Sequence, residues 1–293
     1  FTPSNQLRTE GFANPAMIGS VLGAVINIIL DPIFISVLGL GAGGAATASV
    51  IGYIFTDAYF TWFLLKRSKK LSVNPKGFYI KADELKPIFA IGIPASITNL
   101  MQSFGIMMTN RFLLPYGNEK VAAMGIVMKV NMIAVLVLVG FAFGGQPLIG
   151  YNYGANNKKR LKDILAFCYK FECGLAAVLA VILCVAAKPL IQLFMDQPEI
   201  VSAGVSMLRF QQLGMIFIAI VLVTTCTFQS AGKASGAFWL SVSRQGLIFA
   251  VVIFVASKAI GYNGVIAAQP VSDFLTAMLA VVLFKKQLGG FFK

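Results

Sequence analysis

Long apolar stretches, broken at intervals by short polar ones, run through the whole chain. Residues 21–40, 88–108, 130–150, 174–187, 215–228, 247–256 and 265–284 are nearly free of charge. A run of ~18 or more apolar residues can cross a ~30 Å hydrocarbon layer as a helix. The shorter runs reach that length once their uncharged polar flanks are included. A surface helix of a soluble bundle carries a polar face, and these runs have none. The pattern predicts an all-α integral membrane protein with about eight transmembrane helices, near 15–38, 43–65, 86–115, 121–151, 163–187, 200–229, 243–259 and 263–285.

Composition strengthens this reading. Apolar residues make up 58% and charged residues 12% of the chain, against about 25% charged in soluble domains. Mean hydropathy is +0.81. The net charge of +13 does not point to nucleic acid, because the basic residues gather between spans on one side. Alternate loops hold Arg8; Lys66, Arg67, Lys69, Lys70, Lys76, Lys81 and Lys86; Lys158, Lys159, Arg160 and Lys162; Lys233 and Arg244; and Lys285, Lys286 and Lys293. The opposite loops hold Arg111, Lys120, Lys188 and Lys258. The positive-inside rule makes the first set cytoplasmic, so both ends of this chain are expected in the cytoplasm. Cys168, Cys173, Cys184 and Cys226 all fall within predicted spans, which argues for packing thiols and against a disulfide framework.

The most polar stretch, 66–86, is basic and carries turn signals at Asn74, Pro75 and Gly77. It reads as a cytoplasmic linker between residues 1–65, a two-helix segment, and residues 87–293, a six-helix segment. The two spans before it echo the last two of the chain. Leu38 and Gly39 precede a helix with an early Ala45–Ala46 and a basic end at Lys66–Arg67. Ile260 and Gly261 precede one with Ala267–Ala268 and a basic end at Lys285–Lys286. Internal repeats of this kind occur in secondary transporters, and here they suggest two halves.

The chain has no histidine, which excludes His-based acid–base catalysis, Ser-His-Asp triads and His metal sites. It also lacks a P-loop, so enzymatic chemistry is not expected. What remains are polar groups inside spans. An acid at the bilayer centre costs ~2.5–3.5 kcal/mol even on the lenient insertion scale, so it is a functional candidate by default. Asp31 is the clearest case. Asn27 precedes it by one turn on the same helix face, and Pro32 follows it, lacking an N–H and expected to kink the helix. Oxygen-rich clusters of this type suit a hard cation, whereas a proton needs only the carboxylate. On the next helix Ser49, Tyr53 and Asp57 share one stripe. Asn99, Gln102 and Asp273 are further candidates for lining a substrate cavity, while Lys170 and Glu172 read as residues near a cytoplasmic helix end whose long side chains snorkel.

Several segments resemble the multidrug and toxic-compound extrusion (MATE) family, closest to its bacterial DinF-like and MepA-like branch. They are Leu7-Arg8-Thr9-Glu10-Gly11, Asn27-Ile28-Ile29-Leu30-Asp31-Pro32, Gly44-Ala45-Ala46-Thr47-Ala48-Ser49, Gly92-Ile93-Pro94 and, most specifically, Gly145-Gln146-Pro147-Leu148-Ile149-Gly150-Tyr151-Asn152-Tyr153-Gly154-Ala155. The resemblance implies helices five to twelve of a twelve-helix, two-lobe transporter with pseudo-symmetric halves, lacking the first four. It implies a cation site of the first lobe at Asn27 and Asp31, with Ser49 at the place where the family often has a threonine. It also implies alternating-access antiport of amphipathic, cationic drugs or toxins, coupled to Na⁺ or H⁺.

The expectation is therefore a multi-pass, monomeric protein of the bacterial cytoplasmic (inner) membrane. Its partners would be the lipid bilayer and small organic cations, with no nucleic acid. No cofactor or metal is expected beyond Na⁺ or H⁺ as the coupling ion. A flippase for lipid-linked sugars, from the same superfamily, and a non-transporting membrane scaffold are the alternatives.

Overall fold

The computed structural model describes residues 2–67 and 82–292, and among these every regular element is helical. The first unit, Phe1–Lys81, holds α1 (Thr2–Thr9), α2 (Ala13–Pro32), which runs on into a wide π turn at Ile33–Val37, and α3 (Gly41–Arg67). The second unit, Ala82–Lys293, holds α4 (Ala82–Leu113), α5 (Asn118–Gly154), α6 (Lys158–Val185), the short α7 (Ala187–Gln192), α8 (Pro198–Gln212), α9 (Met215–Ser230), α10 (Ala234–Val242) and α11 (Ile248–Gln287). Most of the expected linker lies outside the described residues. Its two ends, Lys66–Arg67 and Ala82–Lys86, belong to α3 and α4.

Five helices among the described residues are long and apolar enough to cross a membrane, or six if the α8–α9 pair, bent by 48°, is one span. The expected eight differs from this count for two reasons. First, Ala234–Gln287 counts as one 54-residue element, yet its backbone leaves the helix at Ile260 (φ −132°, ψ 17°) and Gly261 (φ 58°, ψ −131°). At 1.5 Å per residue an unbroken helix of that length would reach ~80 Å, more than twice the layer it has to cross. Second, α4 has 32 residues, but Asn99, Gln102 and Asn110 dilute its apolar stretch. Splitting the last element and admitting α4 restores eight.

Gly261 allows the break, since its positive φ is open to glycine and costly for other residues. Glycine is also required at Gly264, where an added methyl would overlap the Ala256 carbonyl. The turn between α2 and α3 uses the same device, with Gly39 at φ 65°. The two faintly repeated helix pairs thus share a left-handed glycine at their turns.

Burial follows the membrane pattern. In the second unit Leu113, Val127, Met207, Leu208, Phe249 and Ile253 form a core where α4, α5, α8 and α11 meet. Large apolar side chains also face outward, such as Val181 at 62% and Val255 at 58% exposed. A soluble monomer rarely shows such surface over whole helices, whereas lipid tails accept it. All four cysteines are free thiols.

Candidate functional site

The first unit is built on a close crossing of α2 and α3. A methyl at Gly23 would overlap the Thr56 hydroxyl and lie 2.8 Å from the Gly52 carbonyl; one at Gly52 would lie 2.8 Å from the Gly23 carbonyl and 3.3 Å from Asn27 Cβ. Small residues at such crossings let membrane helices approach backbone to backbone. One turn beyond Gly23, this approach sets Asn27 against α3. Its amide nitrogen donates to Ser49 Oγ at 3.2 Å and to Asp31 Oδ1 at 3.4 Å. Asn27, Asp31 and Ser49 are all half-buried, so a small polar cluster sits on a helix pair that is otherwise apolar. Thr47 does not join it, because its hydroxyl donates back to the Gly43 carbonyl at 2.8 Å. Pro32 stays helical (φ −59°, ψ −37°), and the adjustment appears just after it, where Leu38 N–H reaches the Ile33 carbonyl at 2.9 Å in the wide turn.

The other candidates are dispersed. Tyr53 (61% exposed) and Asp57 lie on the outward stripe of α3, and Asn99 and Gln102 are exposed on α4. Among the described residues no side-chain hydrogen bond joins Tyr53 or Asp57 to the cluster.

Asp273 departs from expectation. It is 1% exposed and does not line an open cavity. Arg244 Nε donates to its Oδ1 at 2.8 Å, and Gln269 donates to the same oxygen at 3.1 Å. Arg244 in turn is not a loop residue. The helix begins at Ala234, so Arg244 sits about 15 Å along it, inside a π turn at Ser243–Leu247. The polar run Ser241–Gly246 looks like a loop in sequence. In the fold, Asp273 neutralises its charge, and the Ser272 hydroxyl donates to the Arg244 carbonyl at 2.9 Å. Glu172 is a second correction, being fully buried and not snorkelling. It lies 14 residues into α6, about 21 Å from its start.

The MatE family model matches residues 94–262, more than half of the chain. The chain belongs to the MatE family. It is 30% identical over 268 residues to the multidrug export protein MepA of Staphylococcus haemolyticus, covering 92% of this chain and 59% of that one. To the protein of the same name from Staphylococcus aureus (strain MSSA476) it is 30% identical over 276 residues, covering 94% and 61%. The chain thus spans about three fifths of the length of these relatives. A multidrug resistance MATE family transporter of the MOP superfamily, solved in an outward-facing conformation, superposes with a TM-score of 0.91 at 24% identity, covering 99% of this chain and 65% of that one. A MOP superfamily transporter from Pyrococcus furiosus superposes equally well, at 24% identity over 99% and 66%. These likenesses establish an all-α, multi-pass membrane fold.

Within this MatE chain, amides that sequence reasoning read as interhelical hydrogen bonders form a half-buried relay in the second unit. Asn131 on α5 donates to Gln211, and Gln212 donates to Asn131 Oδ1 at 2.9 Å. Both glutamines stand at the end of α8, beside the 48° bend into α9. Gln146 of the specific α5 segment donates to Gln229 at 2.8 Å. The available signal was the register of these amides, which face helices far away in sequence. A cleft of about 380 Å³ lies against α6, α9 and the second half of α11, lined by Tyr169, Cys173, Ile220, Thr224, Val281, Phe284 and Lys285.

Proposed function

We propose that this chain is part of a cation-coupled antiporter, driven by Na⁺ or H⁺, that exports amphipathic, cationic compounds by alternating access. Membership of the MatE family and the names of the MepA relatives support export of drugs as the activity. The single observation that carries the coupling site is the contact of Asn27 with both Asp31 and Ser49. An ionisable carboxylate, an amide and a hydroxyl converge there, with no ion pair among the described residues to neutralise the acid. Asp31 would exchange the coupling ion, and Asn27 and Ser49 would help to hold it. The task is transport, not bond-making, so it calls for no catalytic group. The setting we infer is the bacterial cytoplasmic membrane, with the basic ends of α3 and α11 facing the cytoplasm.

Dye efflux from everted vesicles carrying the intact protein tests this reading, with wild type compared to Asp31→Asn under separate Na⁺ and pH gradients. We expect gradient-driven efflux that the substitution abolishes while expression is retained, and the effective gradient identifies the ion. Unchanged efflux in Asp31→Asn would remove Asp31 from the mechanism. No dye movement in wild type under either gradient would redirect the reading towards a lipid flippase.

A further inference from the structure

One acid of the second unit has no role in the mechanism above. Glu172 on α6 is fully buried, and neither carboxyl oxygen has a hydrogen-bond partner among the described residues. Helices α5, α7, α8 and α9 pack against α6. The titratable groups near the carboxyl are thiols: Cys168 and Cys173 on its own helix and Cys226 on α9. From α5, Gln146 is already engaged with Gln229, and the Tyr169 hydroxyl shares a 2.8 Å hydrogen bond with Thr224. Lys170, two residues away, is exposed. No ion pair to Glu172 is present among the described residues; the buried pair of the second unit is Arg244–Asp273.

A bare carboxylate in such surroundings is prohibitively costly, so the group must carry a cation of some kind. A hard metal ion needs several oxygen ligands, and the described residues contain no group of three or more acidic, thiol or imidazole side chains that could hold one. A proton needs only the carboxyl oxygen itself. We propose that Glu172 is a proton-binding site of the second unit, separate from the Asp31 cluster, loaded while α5, α6 and α9 are packed together and emptied to water when they part. A cleft runs beside Glu172, which does not itself line it. Tyr169 and Cys173, which flank Glu172 on α6, both line the 380 Å³ cleft, and that cleft reaches Lys285 at the basic end of α11.

The proposal does not depend on Asp31 and is tested separately from it. Infrared spectra of the intact protein in lipid nanodiscs are compared for wild type, Glu172→Gln and Asp31→Asn. We expect a protonated-carboxyl band at neutral pH that is missing in Glu172→Gln and kept in Asp31→Asn. Raising the pH should remove it reversibly with helix content unchanged. Identical spectra in wild type and Glu172→Gln would overturn the proposal. So would a Glu172 band that persists unchanged until the helices unfold, because that is a buried acid that never exchanges. Should Glu172→Gln fail to fold, Glu172→Met provides the same difference spectrum.

Discussion

Asp31 in the first unit and Asp273 in the second are both acids within apolar helices, and their surroundings differ in kind. Asp31 is half-buried, with an amide at 3.4 Å and, among the described residues, no cationic side chain paired to it. Asp273 is sealed from solvent and holds a guanidinium at 2.8 Å, with a glutamine on the same oxygen. An acid whose counter-ion is built into the fold has no reason to take up another. An acid offered only neutral polar neighbours is left to find its cation elsewhere. Position within a span therefore does not decide the role of an intramembrane acid; what decides it is whether the neighbouring helix supplies a charge.

This contrast is most easily broken at Arg244. Removing one member of a buried ion pair costs about 3–5 kcal/mol, and replacing both by apolar residues is often neutral or stabilising. Arg244→Met should therefore lower the thermal unfolding midpoint of the detergent-solubilised protein sharply, and adding Asp273→Leu should restore most of the loss. If the single substitution is harmless, Asp273 is not held by its partner, and the contrast with Asp31 collapses.

The next largest effect is expected at the α2–α3 crossing. Gly23→Ala forces a methyl against Thr56 and the Gly52 carbonyl, and overpacking of this kind costs about 1–3 kcal/mol. Because the crossing sets Asn27 against Ser49, gradient-driven efflux should fall as well. Gly140→Ala serves as the control, since nothing lies within 4 Å of the added methyl; it should stay within about 0.5 kcal/mol of wild type.

Glu172 sharpens the comparison from the other side. A buried polar group without partners is destabilising by about 1–3 kcal/mol, so Glu172→Met should raise the unfolding midpoint in the same assay. The smallest effect belongs to Ser49→Ala. Interhelical hydrogen bonds in membrane proteins average about 0.6 kcal/mol, so stability should barely move. A weakened dependence of efflux on the driving ion, at nearly unchanged stability, would mark Ser49 as a ligand and not a strut.

Much of the architecture was legible from local chemistry. The membrane class follows from runs of apolar residues, and the turns at Gly39 and Gly261 follow from where glycine interrupts those runs. Asn27 and Asp31 share a helix face because four residues make one turn, which needs no knowledge of any other helix. The errors came where a polar residue depends on a distant partner. Arg244 reads in sequence as one of the basic residues between spans, because the acid that neutralises it, Asp273, is 29 residues away. Glu172 differs, having no partner among the described residues; its burial depends on the helices packed around α6.

By itself, then, the sequence determined that the chain spans a membrane, where its helices run and turn, and which polar residues share a helix face. These are properties of transfer free energy and of helical periodicity, both carried by residues close along the chain. Only the tertiary structure decided that Asn27 meets Ser49, that Asp273 is neutralised by Arg244, and that Glu172 is left alone among thiols. The charge state of a buried acid depends on what the neighbouring helix presents to it, and that depends on where the helices cross.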